Sequence, residues 1–127
     1  MTNIPSAKAM TTQQVAARFN ELAMEEKWFD IQDELFADNV RSVDPEGSPY
    51  FGYAEGKASV RKKGENFTSR ITDVHRLFTT QPVVAGNHFA VGREVDVTVE
   101  GHGRIQINEI MLYEVKDGEI VLEQFIY

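Results

Sequence analysis

Apolar residues in the first third of the chain recur at intervals of three and four. Val15, Ala16, Phe19, Leu22 and Ala23 mark one face of a helix over about Thr12 to Glu26, and Thr11 and Gln14 stand at capping-box spacing before it. Trp28, Ile31, Leu35 and Phe36 repeat the interval in a shorter helix. That helix should end near Ala37-Asp38-Asn39, because Asp and Asn favour turns over helix interiors. Val40 to Val43 then reads as a short strand. Gly56 opens a third helix with Val60, Gly64, Phe67 and Ile71 on one side, while Lys62, Lys63, Glu65 and Arg70 lie mostly elsewhere around it. Gly64 weakens that helix and admits a close neighbour.

From Val74 onward the period changes to two. His75 to Thr80, Val83 to Ala85, His88 to Val99, Arg104 to Val115 and Glu119 to Ile126 read as strands. Gly86-Asn87, Glu100-Gly101-His102-Gly103 and Asp117-Gly118 supply the turns between them. Helices first and a long meander afterward predict an α+β domain, its three N-terminal helices packed on one face of a curved, mostly antiparallel sheet.

Two apolar files are interrupted by charge. Phe89, Val91, Val95, Val97 and Val99 share a strand face with Arg93, and Ile105, Ile107, Met111, Tyr113 and Val115 share one with Glu109. Both files should face the helices, which puts both charges inside unless they open onto a cavity. A three-residue loop keeps both files on the same face. If it is Glu100 to His102, Arg93 stands directly opposite Glu109; if it is Gly101 to Gly103, the two are diagonal neighbours. Either they form a buried ion pair inside a core, or they line a pocket floor.

A third carboxylate sits in Val40-Arg41-Ser42-Val43-Asp44-Pro45-Glu46-Gly47-Ser48-Pro49, where a strand breaks into a proline-rich loop. Pro45 pushes Asp44 toward extended backbone and Gly47 and Pro49 turn the chain, so stiff covalent geometry sets the direction of the carboxylate. The same residues also read as an ordinary Asx turn. Trp28, Tyr50, Phe51 and Tyr53 could form an aromatic lid beside it, although Trp28 also reads as core. Ser42, Ser48, Ser59 and Ser69 have no nucleophile-elbow context, and His75, His88 and His102 lack metal-ligand spacing.

Composition narrows the functional classes. A length of 127 residues, with 42% apolar and 10% aromatic residues, suits one domain over 11–127, preceded by a flexible 1–10 segment that has no apolar period. Thirteen basic against twenty acidic residues give a formal charge of −7, which disfavours nucleic acid. The one basic run, Arg61-Lys62-Lys63, reads as a solvated helix face. With no Cys, thiol catalysis, zinc thiolate sites and disulfides are excluded. Neither a leader pattern nor a bilayer-length apolar run is evident, so a cytoplasmic protein with no membrane partner is expected.

The helices, Phe36-Ala37-Asp38-Asn39-Val40, Val43-Asp44-Pro45-Glu46-Gly47, Gly56-Lys57, Val84-Ala85-Gly86-Asn87 and Tyr113-Glu114-Val115-Lys116-Asp117-Gly118-Glu119-Ile120 together resemble the SnoaL-like members of the nuclear transport factor 2-like superfamily. The likeness runs from about Thr11 to the end. It implies a conical α+β barrel with a pocket between the helices and the concave sheet, dimerised through the outer sheet face. It also implies a range of roles, from polyketide cyclases and isomerases to proteins without a known reaction.

The ketosteroid isomerase type is the nearest mechanistic template, and it is a worked case of carboxylate tuning. By that resemblance the general base maps onto Asp44 and the protonated oxyanion-hole acid onto Glu109. The oxyanion tyrosine maps onto Phe19 and a supporting tyrosine onto Phe36, so those hydroxyls are missing. Phe donates nothing to an enolate, and Arg93 beside Glu109 should hold that acid ionised, which argues against steroid isomerisation proper. Similar-looking epoxide hydrolases set an Arg between two carboxylates, and Asp44, Arg93 and Glu109 resemble that set in kind. Their Arg-x-Asp pair is absent, since Val95 follows Arg93.

Two functional expectations result. One is an isomerase, cyclase or hydratase that uses neither metal nor organic cofactor. In it Asp44 acts as base, Glu109 and Arg93 orient the oxygenated end of a mostly apolar ligand, and Phe19, Trp28, Tyr53, Phe67 and Met111 supply apolar walls. The other is a non-catalytic dimeric binding or accessory protein with a structural Arg93 to Glu109 pair. Ile110, Leu112, Leu122 and Ile126 on the opposite sheet face point to a homodimer in either case. No tail follows Tyr127, so a pocket left open, or closed by a partner subunit, is expected.

Overall fold

The computed structural model describes residues 9–127. Most of the 1–10 segment expected to be flexible therefore lies outside the described residues. Thr11 caps α1 (Thr12–Met24): its hydroxyl accepts from the Gln14 amide at 3.1 Å, and the Gln14 side chain accepts from the Thr11 amide at 2.9 Å. Val15, Ala16, Phe19, Leu22 and Ala23 form its buried face, as the period predicts. Glu26 follows with φ +57°, the left-handed conformation that reverses a chain leaving a helix.

α2 (Trp28–Leu35) is shorter than expected and passes directly into β1 (Phe36–Val43). Phe36 is already extended, and it pairs in parallel with Ile120. Pairing with a distant strand overrides the turn preference of Asp38 and Asn39, so the strand begins four residues before the expected Val40. β2 (Ala54–Glu55) and α3 (Lys57–Thr68) follow. Ile71, expected on the third helix, instead opens β3 (Ile71–Thr79), where it pairs with Val99. Gly64 does admit a close neighbour: a Cβ there would lie 3.1 Å from the Phe29 ring.

β4 (Val83–Ala85), β5 (His88–Val99), β6 (Gly103–Lys116) and β7 (Glu119–Ile126) complete a seven-stranded sheet of order β2-β1-β7-β6-β5-β3, with β4 on β5. Among the described residues only β1 and β7 pair in parallel. The sheet curves around the helices without closing, so the implied conical barrel is an open one. Val99 pairs with Gly103 and Arg93 with Glu109, which makes Glu100 to His102 the loop and sets the two charges directly opposite.

The apolar interior falls into two clusters. One gathers the helices with Phe89, Val91, Met111, Tyr113 and Val115; the other holds Val95, Val97, Val99, Ile105 and Ile107, packed by Tyr50, Phe67, Ile71 and Leu77. Arg93 and Glu109 occupy the one rung between them. The interrupted files of the sequence are thus a seam across the sheet.

Candidate functional site

At that seam, between α2, α3 and the concave face of the sheet, lies a cavity of about 490 Å³. Trp28, Phe36, Phe51, Phe67, Met111 and Phe125 supply much of its wall, joined by Val95, Val97 and Ile107. Pockets of roughly 300–1,000 Å³ with this apolar character hold small molecules. Of the site residues expected from the sequence, Trp28, Phe67, Met111, Arg93 and Glu109 lie on this wall.

Three other expected site residues lie elsewhere. Phe19 is fully buried among the rings of Trp28, Phe89 and Tyr113, because the apolar stripe of α1 faces the first cluster and not the cavity. Tyr53 is 56% exposed and borders an open groove outside the Phe51 and Phe67 wall. Of the expected lid, Phe51 alone joins Trp28 at the cavity, where it packs edge-on to Phe67 at 4.9 Å. Asp44 is the third: β1 parity turns it inward after Val40 and Ser42, yet its side chain is only 1% exposed and is enclosed by its partners.

Those partners define the first polar group. Lys63 Nζ donates to an Asp44 carboxylate oxygen and, at 2.9 Å, to Ser42 Oγ. The Tyr127 hydroxyl donates to the other Asp44 oxygen at 2.8 Å. Ser42 Oγ donates in turn to Glu123 Oε1 at 2.9 Å, and the Tyr113 hydroxyl donates to Glu123 Oε2 at 2.9 Å. Burial pushes the Glu123 acid above its usual range, against the two hydrogen bonds that favour its charge. Lys63, Ser42 and Glu123 all reach the cavity wall.

The second polar group surrounds Arg93. Its guanidinium does not pair with Glu109: Glu26 takes both Nη atoms, at 3.1 and 3.0 Å, and Thr79 Oγ1 accepts from Nη1 at 2.9 Å. The left-handed turn after α1 aims Glu26 at this spot, where it also accepts from the Trp28 indole at 2.7 Å. The Trp28 ring lies 4.5 Å under the guanidinium. The expected Arg93 to Glu109 ion pair is therefore replaced by one with Glu26.

Glu109 shares the cavity wall with Glu26 and Glu123. Burial pushes its carboxyl up to about 7; Arg93 opposes this, while Glu123 and Asp44 add to it. The expectation that Arg93 would hold Glu109 ionised is thus reversed, since burial outweighs the attraction of the guanidinium. A carboxyl near neutrality in an apolar cavity can take or give a proton. Among the described residues no three His, Asp or Glu side chains are grouped to hold a metal ion.

Sequence reasoning missed Lys63, Glu123 and Glu26. Lys63 carried a signal, since it falls three residues after Val60 and four before Phe67 on the buried stripe of α3. Glu123 carried a misleading one. Ile120 and Glu123 both face inward because a register shift in the β6–β7 pairing reverses the alternation between them.

Three helices packed on a curved, unclosed sheet are the nuclear transport factor 2-like fold. The chain belongs to the SnoaL-like domain family, whose model matches residues 10–127. It is similar to a Mesorhizobium loti protein provisionally assigned as a SnoaL-like polyketide cyclase, with 30% identity over 93% of this chain and 100% of that one and a TM-score of 0.85. A Bacillus subtilis protein provisionally assigned as an isomerase shares the fold at 22% identity, covering 91% and 88% of the two chains, with a TM-score of 0.64. A Catenulispora acidiphila protein with a ketosteroid isomerase-like fold does so at 20% identity, covering 76% and 72%, with a TM-score of 0.60. Comparison with curated proteins finds no match.

Proposed function

We propose that this protein is a small-molecule enzyme of the isomerase, cyclase or hydratase kind, in which Glu109 moves a proton on a mostly apolar, partly oxygenated ligand without metal or organic cofactor. The observation that carries this reading is the Glu109 carboxyl, part-buried on the wall of an apolar cavity and pushed up to about 7. An acid tuned to that range is half ionised near neutral pH, where general acid–base catalysis is most effective. Arg93 stands opposite Glu109 on the neighbouring strand, and Trp28, Phe67 and Met111 shape the wall. Asp44, first expected as the base, holds Lys63 in place. The provisional cyclase and isomerase assignments of similar proteins support the class.

The test is deuterium exchange at the acidic carbon of a panel of enolisable cyclic ketones, followed by NMR. The wild type should accelerate exchange with at least one of them, at a rate that rises with pH through about 7, as a base of that pKa requires. Glu109→Gln should lose the acceleration. Equal rates in wild type and variant would favour a ligand-binding role without a reaction, for which Arg93 and Glu26 already form a structural ion pair.

We further propose a homodimer through the outer face of the sheet. Ile110 and Ile126, paired across β6 and β7, are 46% and 50% exposed there.

A further inference from the structure

We propose that Lys63 Nζ is the anion-binding point of this cavity and that its ligand is a flat, apolar carboxylic acid. The inference rests on the reading of this cavity as the ligand site and names the ligand's chemistry. An ammonium has three donors. Two of those on Lys63 are committed to Ser42 and Asp44, and the side chain forms part of the cavity wall, which leaves one N–H for a ligand.

The ammonium is held in place. Each of its partners is fixed by a further bond, Ser42 by Glu123 and Asp44 by Tyr127, and the Lys63 side chain is only 14% exposed. The rings of Phe51 and Phe125 stand 5.7 and 5.3 Å from Nζ, close enough to favour the charge without consuming a donor. The Tyr127 hydroxyl occupies the other Asp44 oxygen, so Asp44 takes a single N–H of the ammonium. Arg93 is the other cation on the wall, but Glu26 grips it from both Nη atoms.

The rest of the ligand follows from the wall. Trp28, Phe36, Phe51, Phe67 and Phe125 present aromatic surface, which matches a planar apolar body better than a branched or strongly hydrated one. A carboxylate bound at Lys63 adds negative charge near Glu109. The charged groups already acting on Glu109 are Arg93 from β5, Glu123 from β7, Asp44 from the end of β1 and Lys63 from α3, with Glu26 after α1 neutralising Arg93. A further anion among them favours the protonated acid, so binding should draw a proton onto Glu109 near neutral pH.

Calorimetric titration with 2-naphthoate and its neutral isostere 2-naphthamide tests the assignment. The wild type should prefer the carboxylate by about tenfold or more, the worth of one charge-assisted hydrogen bond. It should also take up protons on binding, read from the difference between two buffers of unequal ionisation heat. Lys63→Met leaves Asp44 buried without its cation, so the Asp44→Asn/Lys63→Met double variant serves alongside it. Both should lose the preference while still binding the amide, and Lys63→Arg should retain part of it. Equal affinity for the two probes in the wild type, binding of neither at millimolar concentration, or a preference that survives in the double variant overturns the proposal. Deuterium exchange catalysed without a carboxylate preference would sink the Lys63 assignment alone. A carboxylate preference without exchange would sink the enzyme reading alone.

Discussion

Lys63 and Glu109 show how much a single position can hide. Lys63 sits in a run of three cations, and composition alone assigns such a run to solvent; the positions of Val60, Gly64 and Phe67 place it on the buried stripe. Glu109 was legible as an interruption of an apolar file, but its charge state was not. That state depends first on burial in the cavity, which outweighs Arg93, and the guanidinium itself is taken by Glu26, 67 residues away along the chain after a left-handed turn. The raised pKa of Glu109 has a consequence for stability. An acid whose folded value of about 7 exceeds its ordinary 4.5 costs nothing while protonated in both states, and the cost grows as pH rises through that interval. The full cost above neutrality is about 3 kcal/mol at most. Glu109→Gln should therefore melt close to wild type at pH 4 and above it at pH 8. Denaturant titration at the two pH values checks this, and an equal difference at both would remove the account of Glu109 as a destabilised, tuned acid.

At the scale of elements, the periodic segments were readable and their junctions were not. The capping box, the apolar face of α1 and the turn at Asp117-Gly118 all follow from local chemistry that the sequence displays, whereas the loop at Glu100 to His102 is one of two registers that the sequence leaves open. The start of β1 at Phe36, the move of Ile71 from helix to strand and the inward turn of Glu123 depend on pairing with distant strands, which no local pattern carries. The Asp117-Gly118 turn makes a sharp prediction. Both residues have positive φ, 51° and 78°, which is the type I′ geometry of a two-residue hairpin. A Cβ on Gly118 would also stand 2.8 Å from the Met10 backbone nitrogen, so the chain before α1 packs against this turn. Gly118→Ala should cost about 1–2 kcal/mol from the left-handed backbone alone, and more from the clash. Thermal unfolding measures it; a loss no greater than the backbone's about 1–2 kcal/mol would mean that the segment before α1 does not rest there.

For the whole molecule, the outer sheet face and the seam within it set different expectations. If Ile110 and Ile126 meet a second copy, Ile110→Glu should shift the protein from dimer to monomer by light scattering at micromolar concentration while leaving its circular dichroism unchanged. A wild type already monomeric under those conditions would remove the proposed interface. The α+β layering was readable because the period of the chain changes once, from helical to alternating, whereas the openness of the sheet is a property of its edges and has no local signature. The seam separates two clusters with unequal burdens. The one beneath α1 holds the large, fully buried side chains Phe19, Phe89 and Tyr113, none of which touches the cavity. In the other, Val95, Val97 and Ile107 are at once core and cavity wall. The deep side chains of the first cluster thus work as a foundation, while its Phe36 and Met111 join Val95, Val97 and Ile107 as a mould, so a change of ligand shape can be written into those few positions while the part that keeps the chain folded stays as it is.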